Sequence, residues 1–391
     1  MERRSSRRRE EEEQKRRERP RNLGAFFIIV AEILVLVICV IVQASVIHHK
    51  RAQSAADVQP QPTASDIVET ETVAETVSPL SPMVFNPPAI ADDGSSTGTD
   101  SGTVYVWDKK AFELFWGSDS AAERYAQLMN HAVGELDGLN VYSMIVPNHT
   151  EMGLPDRLKN VDGGAQTSSQ AEYIGSSYGM MDSGVTAVNA YNALSEHCNE
   201  YIYFNSDHHW SGLGAYYAYT VFAETAGRPV LDLGTCTENV IEGFTGTLTK
   251  LTSAPVDNDA VHYWTFPYDV TDDITEESGN TYSYDSCYYE AATGGDYTYG
   301  VFLMGDNPLE TIYSSSDQAS GKIAVIHESY GNAFIPYLTY NYSEVYSIDF
   351  RSFAGDVSDF CAENEITDVL FLNGVMSSAT QVQLDSINAI L

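Results

Sequence analysis

Residues 23–47 (LGAFFIIVAEILVLVICVIVQASVI) are apolar apart from Glu32, Gln43 and Ser45, and this run limits the architecture more than any other stretch. Its 25 residues, at about 1.5 Å of helical rise each, exceed a hydrocarbon core of roughly 30 Å, so it can cross a bilayer with some tilt. Glu32 costs about 2.5–3.5 kcal/mol at mid-membrane, less if protonated or paired, and the many Ile, Leu, Val and Phe offset it. The core is too long for a cleaved signal peptide, and no small-residue cleavage site closely follows it. Cys39 follows Ile38 rather than a small residue, which argues against a lipoprotein signal. Residues 1–22 hold ten Lys/Arg and six Glu, so Met1 is expected in the cytoplasm and the chain beyond His48 outside. The expected arrangement is a cytoplasmic basic tail (1–22), a single-pass transmembrane signal anchor (23–47) and an extracytoplasmic remainder at the cell membrane.

Beyond the anchor the charge reverses. Residues 52–391 keep nine Lys/Arg against 48 Asp/Glu, within a whole-chain formal charge of -34. Backbone phosphates want the opposite sign, which argues against a nucleic-acid partner. Residues 48–102 are rich in Ala, Ser, Thr, Pro, Gln and acids and show little apolar periodicity, so they read as a disordered linker. Four cysteines lie outside (Cys198, Cys236, Cys287, Cys361). They allow two disulfides in three pairings or four free thiols, and spacing does not choose. Without a C-x-x-C pair, a zinc ribbon is not expected.

The body alternates. Asp119 to Asp137 carries apolar residues at helical spacing (Ala122, Tyr125, Ala126, Met129, Ala132, Val133, Leu136) and leads into a strand at 141–146. Val185 to Leu194 suggests a helix, YIYF at 201–204 a strand, and 211–226 a helix stopped by Gly227 and Pro229. From 323 onward, strands at 323–326, 345–349 and 368–372 alternate with helices from about Asn332, at 356–364 and from Ser378. That βαβαβα rhythm implies an α/β fold with a parallel sheet covered on both faces. Residues 230–320 interrupt it with short strand-like pieces and are expected to form a β-rich insertion beside the sheet.

Chemistry concentrates in Asp207-His208-His209-Trp210 and in His327-Glu328-Ser329-Tyr330-Gly331-Asn332, each following a strand-like segment. Loops at the carboxyl ends of strands are where α/β sheets gather catalytic groups. A serine there needs a base, and the base needs an orienting carboxylate. If 207–209 are extended, Asp207 and His209 project to one side and His208 to the other. That makes Asp207–His209 an orienter–base pair for Ser329. No metal is expected, because three adjacent side chains of a strand cannot converge on one ion. No His follows Ser329, so the G-x-S-x-G elbow of α/β-hydrolases, which needs a later His, fails. The base must come from upstream.

NEYIYFNSDHHWSGLGAYYAY (199–219) resembles the signature of the DHHW family of extracytoplasmic proteins, itself similar to the SGNH-hydrolase-like domains of alginate O-acetylation proteins. The resemblance continues through 141–155, 301–308, ESYGNAFIPYL (328–338), 346–353 and 366–374 and covers most of 103–391. It implies a three-layer α/β/α SGNH-hydrolase-like domain over 103–391, holding the 230–320 insertion. Carried over by motif, the catalytic residues are Asp207, His209 and Ser329. Relatives commonly have Asp before the serine, where this chain has Glu328.

The activity so implied is serine-dependent O-acetyl transfer to, or ester removal from, a cell-surface polysaccharide, with no cofactor. A transferase implies a polytopic membrane O-acyltransferase partner that brings the acyl group outside. The alternative is an inactive SGNH-like glycan-binding or scaffold protein of the envelope, in which Asp207 and His209 only tie their loop. Gly305, Asp306 and Asn332 are candidates for an oxyanion hole. Arg351 is read as holding a substrate carboxylate or the Asp306 region or, better, as a structural ion pair. Trp210 is read as packing support for the His loop ahead of a sugar platform. Tyrosines of the insertion, Tyr289, Tyr297 and Tyr299 among them, are read as a half-buried β surface or a stacking face for sugars. His327 is expected to point away from Ser329.

Overall fold

The computed structural model of the protein describes residues 83–391, apart from 93, 293, 294 and 296. The expected basic tail (1–22), the expected anchor (23–47) and residues 48–82 of the expected linker lie outside the described residues. Among the described residues, no helix is long and apolar enough to cross a membrane. A small antiparallel sheet comes first, β1 (Thr99–Asp100), β2 (Val104–Trp107) and β3 (Lys110–Glu113). Helix α1 (Asp119–Glu135), β4 (Asn140–Val146), helices α2 (His149–Gly153) and α3 (Gln170–Gly179), β5 (Val185–Ala187), and helices α4 (Ala190–Glu196) and α5 (Gly212–Thr225) follow. The middle is strand-rich, with β6 (Thr237–Phe244), β7 (Asp259–Thr265), β8 (Val270–Thr275), β9 (Thr281–Tyr284) and β10 (Leu309–Ser314). The chain then alternates through β11 (Lys322–His327), α6 (Tyr330–Leu338), β12 (Glu344–Asp349), α7 (Val357–Glu363) and β13 (Asp368–Gly374), ending in α8 (Val375–Ala379) and α9 (Gln381–Asn388).

The main sheet has eight strands in the order β5-β4-β13-β11-β12-β10-β8-β9. Its first five are parallel to their neighbours. Ile323–Ile326 and Val369–Leu372 are fully buried, the near-continuous apolar run of strands covered on both faces. Each large aliphatic side chain so buried contributes roughly 1.5–3 kcal/mol. Helix α1 starts where Ser118 Oγ accepts the Ala121 N–H, and it turns Ala122, Tyr125, Ala126, Met129 and Ala132 inward, as their spacing predicts. Its Tyr125 hydroxyl then meets Ser143 of β4 and Asn373 of β13, so the helix is pinned as well as packed. Register sets His327 of β11 beside Asp349 of β12 and Leu372 of β13, so the segment carrying Ser329 leaves at the carboxyl edge of three parallel strands.

Four expectations change. Val185 to Leu194 is an edge strand and then a helix rather than one helix, because β4 offers a free edge to Val185–Ala187. YIYF makes only an isolated bridge, Tyr203 to Trp210, so the DHHW segment is the return of a tight loop and not the end of a strand. The 230–320 insertion does not simply sit beside the sheet: β6–β7 is a separate hairpin, but β10, β8 and β9 continue the main sheet antiparallel from β12. Residues 83–92 of the expected disordered linker are strapped down. The Asn192 amide bonds both Val84 O and Asn86 N–H, and the Asn199 amide bonds both Ala89 O and Ala91 N–H. All four cysteines of the domain are free.

Candidate active site

The DHHW loop is held from beneath by an acid that sequence reading passed over. Asp259, at the start of β7, accepts the Asn205 and Ser206 N–H groups at 2.8 Å each, the Tyr201 hydroxyl at 2.6 Å and the Ser206 hydroxyl at 2.5 Å. Segment 246–248 then closes over the loop. A Cβ on Gly246 would lie 2.3 Å from Asp207 Cβ, so only glycine fits that approach. The closeness lets Thr247 give Asp207 Oδ2 two hydrogen bonds, from N–H at 2.8 Å and Oγ1 at 3.1 Å. Asp207 Oδ1 faces His209, 2.5 Å from Nδ1 and 3.1 Å from the backbone N–H.

Burial alone would raise the Asp207 pKa, but the charge and hydrogen bond of His209, then His208 and the Thr247 N–H, outweigh it and hold the carboxyl well below the usual range. An ionised Asp207 accepts a hydrogen bond from His209 Nδ1–H and so fixes the neutral tautomer with Nε2 bare. That Nε2 lies 2.7 Å from Ser329 Oγ. The three residues picked from spacing and order therefore form one hydrogen-bonded chain.

Ser329 occupies the turn into α6. Glu328 organises this turn: Oε2 accepts the Tyr330 N–H at 3.0 Å, while Oε1 reaches β13 and accepts the Gly374 N–H at 2.7 Å. The extra methylene relative to Asp is what spans that gap. His327 points away from Ser329 as expected, buried between Glu328 O and Ser347 Oγ at 2.8 Å each. Trp210 is packing support, fully buried, its Nε1 donating to Tyr330 O at 2.9 Å. Tyr330 returns its hydroxyl to His208 O, so loop and helix latch each other.

Tyr299 has a role that no sequence signal showed. Its ring stacks on His209 (centroids 4.0 Å apart, planes 9° apart) and its hydroxyl donates to Ser329 O at 2.9 Å. One side chain thus holds both His209 and Ser329. It lay hidden in a tyrosine-rich stretch because nothing local marks a contact made across thirty residues.

The remaining candidates are placed less simply. Gly305 gives its N–H to Phe302 O, and Asn332 spends its amide on Gly305 O and Asp306 Oδ1, so neither has a donor left for an oxyanion. In the first turn of α6, the N–H groups of Tyr330, Gly331 and Asn332 are likewise taken, by Glu328 and by Ser329 O. Among the described residues no protein acceptor is found for the N–H of Ser329 itself. Arg351 is the structural ion pair expected, at 2.5 Å from Asp349 and 2.9 Å from Asp306. His208 does not swing clear: its ring lies 3.9 Å from that of His209 and its Nδ1 3.0 Å from Thr247 Oγ1.

Because the loop turns instead of extending, ligand atoms of Asp207, His208 and His209 come within 4.8 Å of one another, against the expectation that they cannot converge. Both nitrogens of His209 and both oxygens of Asp207 are nevertheless spent on Asp207, Ser329 and Thr247. The donor set suits proton transfer better than an ion.

A family model described as "DHHW protein" matches residues 54–348. Among solved structures, the chain is similar to a DHHW family protein from Eubacterium siraeum DSM 15702, 29% identical, TM-score 0.68, covering 76% of this chain and 99% of that one. It is also similar to Bacillus cereus PatB1 with a sulfonyl adduct, 18% identical, TM-score 0.59, covering 72% and 97%. A slighter likeness, 12% identical with TM-score 0.43 over 73% and 99%, is to the O-acetyltransferase domain of Pseudomonas putida AlgJ. No curated protein matches.

Proposed function

The chain belongs to the DHHW family, and we propose that it is a membrane-anchored, extracytoplasmic serine O-acetyltransferase or acetylesterase acting on cell-surface polysaccharide. The observation that carries this reading is the unbroken chain Asp207–His209–Ser329, at 2.5 and 2.7 Å. Ser329 Oγ attacks an acyl carbonyl as His209 Nε2 takes its proton, and ionised Asp207 stabilises the imidazolium. His209 then returns the proton to the leaving group. The Ser329 N–H, which no protein acceptor takes among the described residues, is a donor free to meet the oxyanion. Water as second acceptor gives an esterase; a sugar hydroxyl gives a transferase, which needs a polytopic acyltransferase partner to deliver the acyl group.

The fold reading in finer form is a three-layer α/β/α SGNH-like domain. Two separate helix groups support it, α1 with α3, α8 and α9, and α5 with α4 and α6. The basic residues ahead of 23–47 support anchoring with the domain outside. Protease added to intact cells should then release a fragment beginning near residues 52–82, and protection of the domain would overturn the topology.

PatB1, of similar fold, was solved with a sulfonyl adduct, which makes a sulfonyl fluoride a suitable covalent probe. The chain should hydrolyse a fluorogenic acetyl ester, be silenced by the probe, and carry the adduct on Ser329 by mass spectrometry. An adduct elsewhere, or undiminished turnover in Ser329→Ala, would refute the mechanism; no turnover at all would favour the scaffold reading.

A further inference from the structure

Ser329 lies between two openings. The larger, about 600 Å³, is lined by Asp207, His209, Tyr289, Tyr297, Asp306 and Arg351 among others. The smaller, about 240 Å³, lies along Glu113, Glu328, Met376 and Thr380, and His209 does not line it. An incoming hydroxyl must deliver its proton to His209 Nε2, so the acceptor enters through the larger cleft.

That cleft has two features that packing does not explain. Tyr297 is 83% exposed and Tyr289 48% exposed, leaving aromatic faces at its wall where the core gains little from them. Flat rings of this kind suit the C–H faces of sugars while their hydroxyls stay wet. The second feature is charge. Asp207 and Asp306 face the cleft, and the one Lys or Arg that lines it among the described residues, Arg351, is already paired with Asp306 and Asp349. The domain sequence that carries it, residues 83–391, has 43 acids and nine basic residues. Among the described residues no unpaired Lys or Arg of the cleft meets an acidic sugar, and the surrounding negative charge opposes its approach.

Resting on the acyl-transfer reading above, we propose that the larger cleft is a subsite for sugar rings without acidic groups, uncharged or amine-bearing, stacked on Tyr297 and Tyr289, and that it rejects polyanionic glycans such as uronate polymers. In the transfer step a sugar hydroxyl gives its proton to His209 Nε2 and its oxygen bonds the acyl carbon. The Ser329 Oγ–acyl bond breaks, and Oγ recovers the proton from His209. The acyl group comes from an ester or thioester donor.

The test is calorimetric titration of the full-length Ser329→Ala chain in detergent with three hexasaccharides: a neutral β-glucan, an oligoglucosamine and an oligogalacturonate. The neutral or amine-bearing probe should bind and the oligogalacturonate should not. Tyr297→Ala, added to the Ser329→Ala chain, should weaken that binding about tenfold. Tyr282→Ala, which removes a ring 46% exposed on β9 and outside the cleft, should leave it unchanged. Matched melting temperatures show that each variant is folded. Oligogalacturonate binding as tightly as the neutral probe, or indifference to both Tyr297→Ala and Tyr289→Ala, or no binding by any probe, would overturn the subsite. Binding does not need turnover. Failure of the wild type on small acetyl esters would remove the acyl-transfer reading, while Tyr297-dependent glycan binding would keep the subsite.

Discussion

Two buried carboxyl groups, one in the DHHW loop and one at the antiparallel end of the main sheet, have opposite fates. Asp207 is 2% exposed and Asp272 is 0% exposed, so burial does not separate them. Partners do. Asp207 receives hydrogen bonds from His209 and Thr247 through both oxygens and is held ionised. Asp272, on β8, lies beside the equally buried Glu310 of β10; the two carboxyl groups hydrogen-bond each other, and no other N–H or hydroxyl donor reaches either Asp272 oxygen or Glu310 Oε2. Burial, with the repulsion of neighbouring acids, raises both; Asp272 is pushed up to about 7. A carboxyl becomes a working charge only where the fold supplies donors in number.

The two regions should therefore answer the same exchange in opposite ways. The largest effect is expected of Asp207→Asn, which favours the wrong imidazole tautomer and should lower kcat/KM for an acetyl ester by about 10³–10⁴ with Ser329 intact. Comparable activity in this variant would dissolve the contrast. Asp272→Asn should leave activity in place and change the pH dependence of stability. Asp272 has a folded pKa above its unfolded value, so its stabilisation is complete below about pH 4 and is lost as pH rises through about 7. Asp207 has the reverse sign: its contribution is present above about pH 4 and is lost as pH falls toward its depressed value. Denaturant melts from pH 5 to 8 should show wild type losing on the order of a few kcal/mol that Asp272→Asn does not lose. Equal slopes would mean that Asp272 finds a donor in solution.

Smaller effects sharpen the paired side. Tyr299→Phe keeps the ring on His209 but drops the bond to Ser329 O, and kcat should fall roughly three- to tenfold with little change in KM. His208→Ala removes a contact to Thr247 and should alter kcat no more than about threefold, since its ring carries no proton in the mechanism. Complete loss in His208→Ala, with a transition metal bound to the wild type, would recast the loop as an ion site.

Much of the paired region was legible because chemistry and order constrain it: a base with an adjacent carboxylate, upstream of a serine at a strand end, leaves few arrangements. The apolar periodicity of 119–137 and the unbroken runs of β11 and β13 were equally plain. The antiparallel end was not. VTDDIT at 270–275 reads as polar, yet Asp272 faces inward, and only the free edge of β12 makes a sheet strand of β10 and, beyond it, β8. Thr247, Asp259 and Tyr299 escaped for a related reason. Each acts on the loop from 40 to 90 residues away, through geometry that local pattern does not record.

Glu328 ties the Ser329 turn to the end of β13, and this couples two positions distant in sequence. A Cβ added at Gly374 would sit 3.2 Å from Glu328 Oε1 and 3.0 Å from the Tyr330 ring, so the two positions are not free to drift separately. An Asp at 328 would fall about 1.5 Å short and orphan the buried Gly374 N–H, at roughly 1–3 kcal/mol. An exchange of one acid for the other is therefore felt at residue 374, and the two positions act as one structural unit.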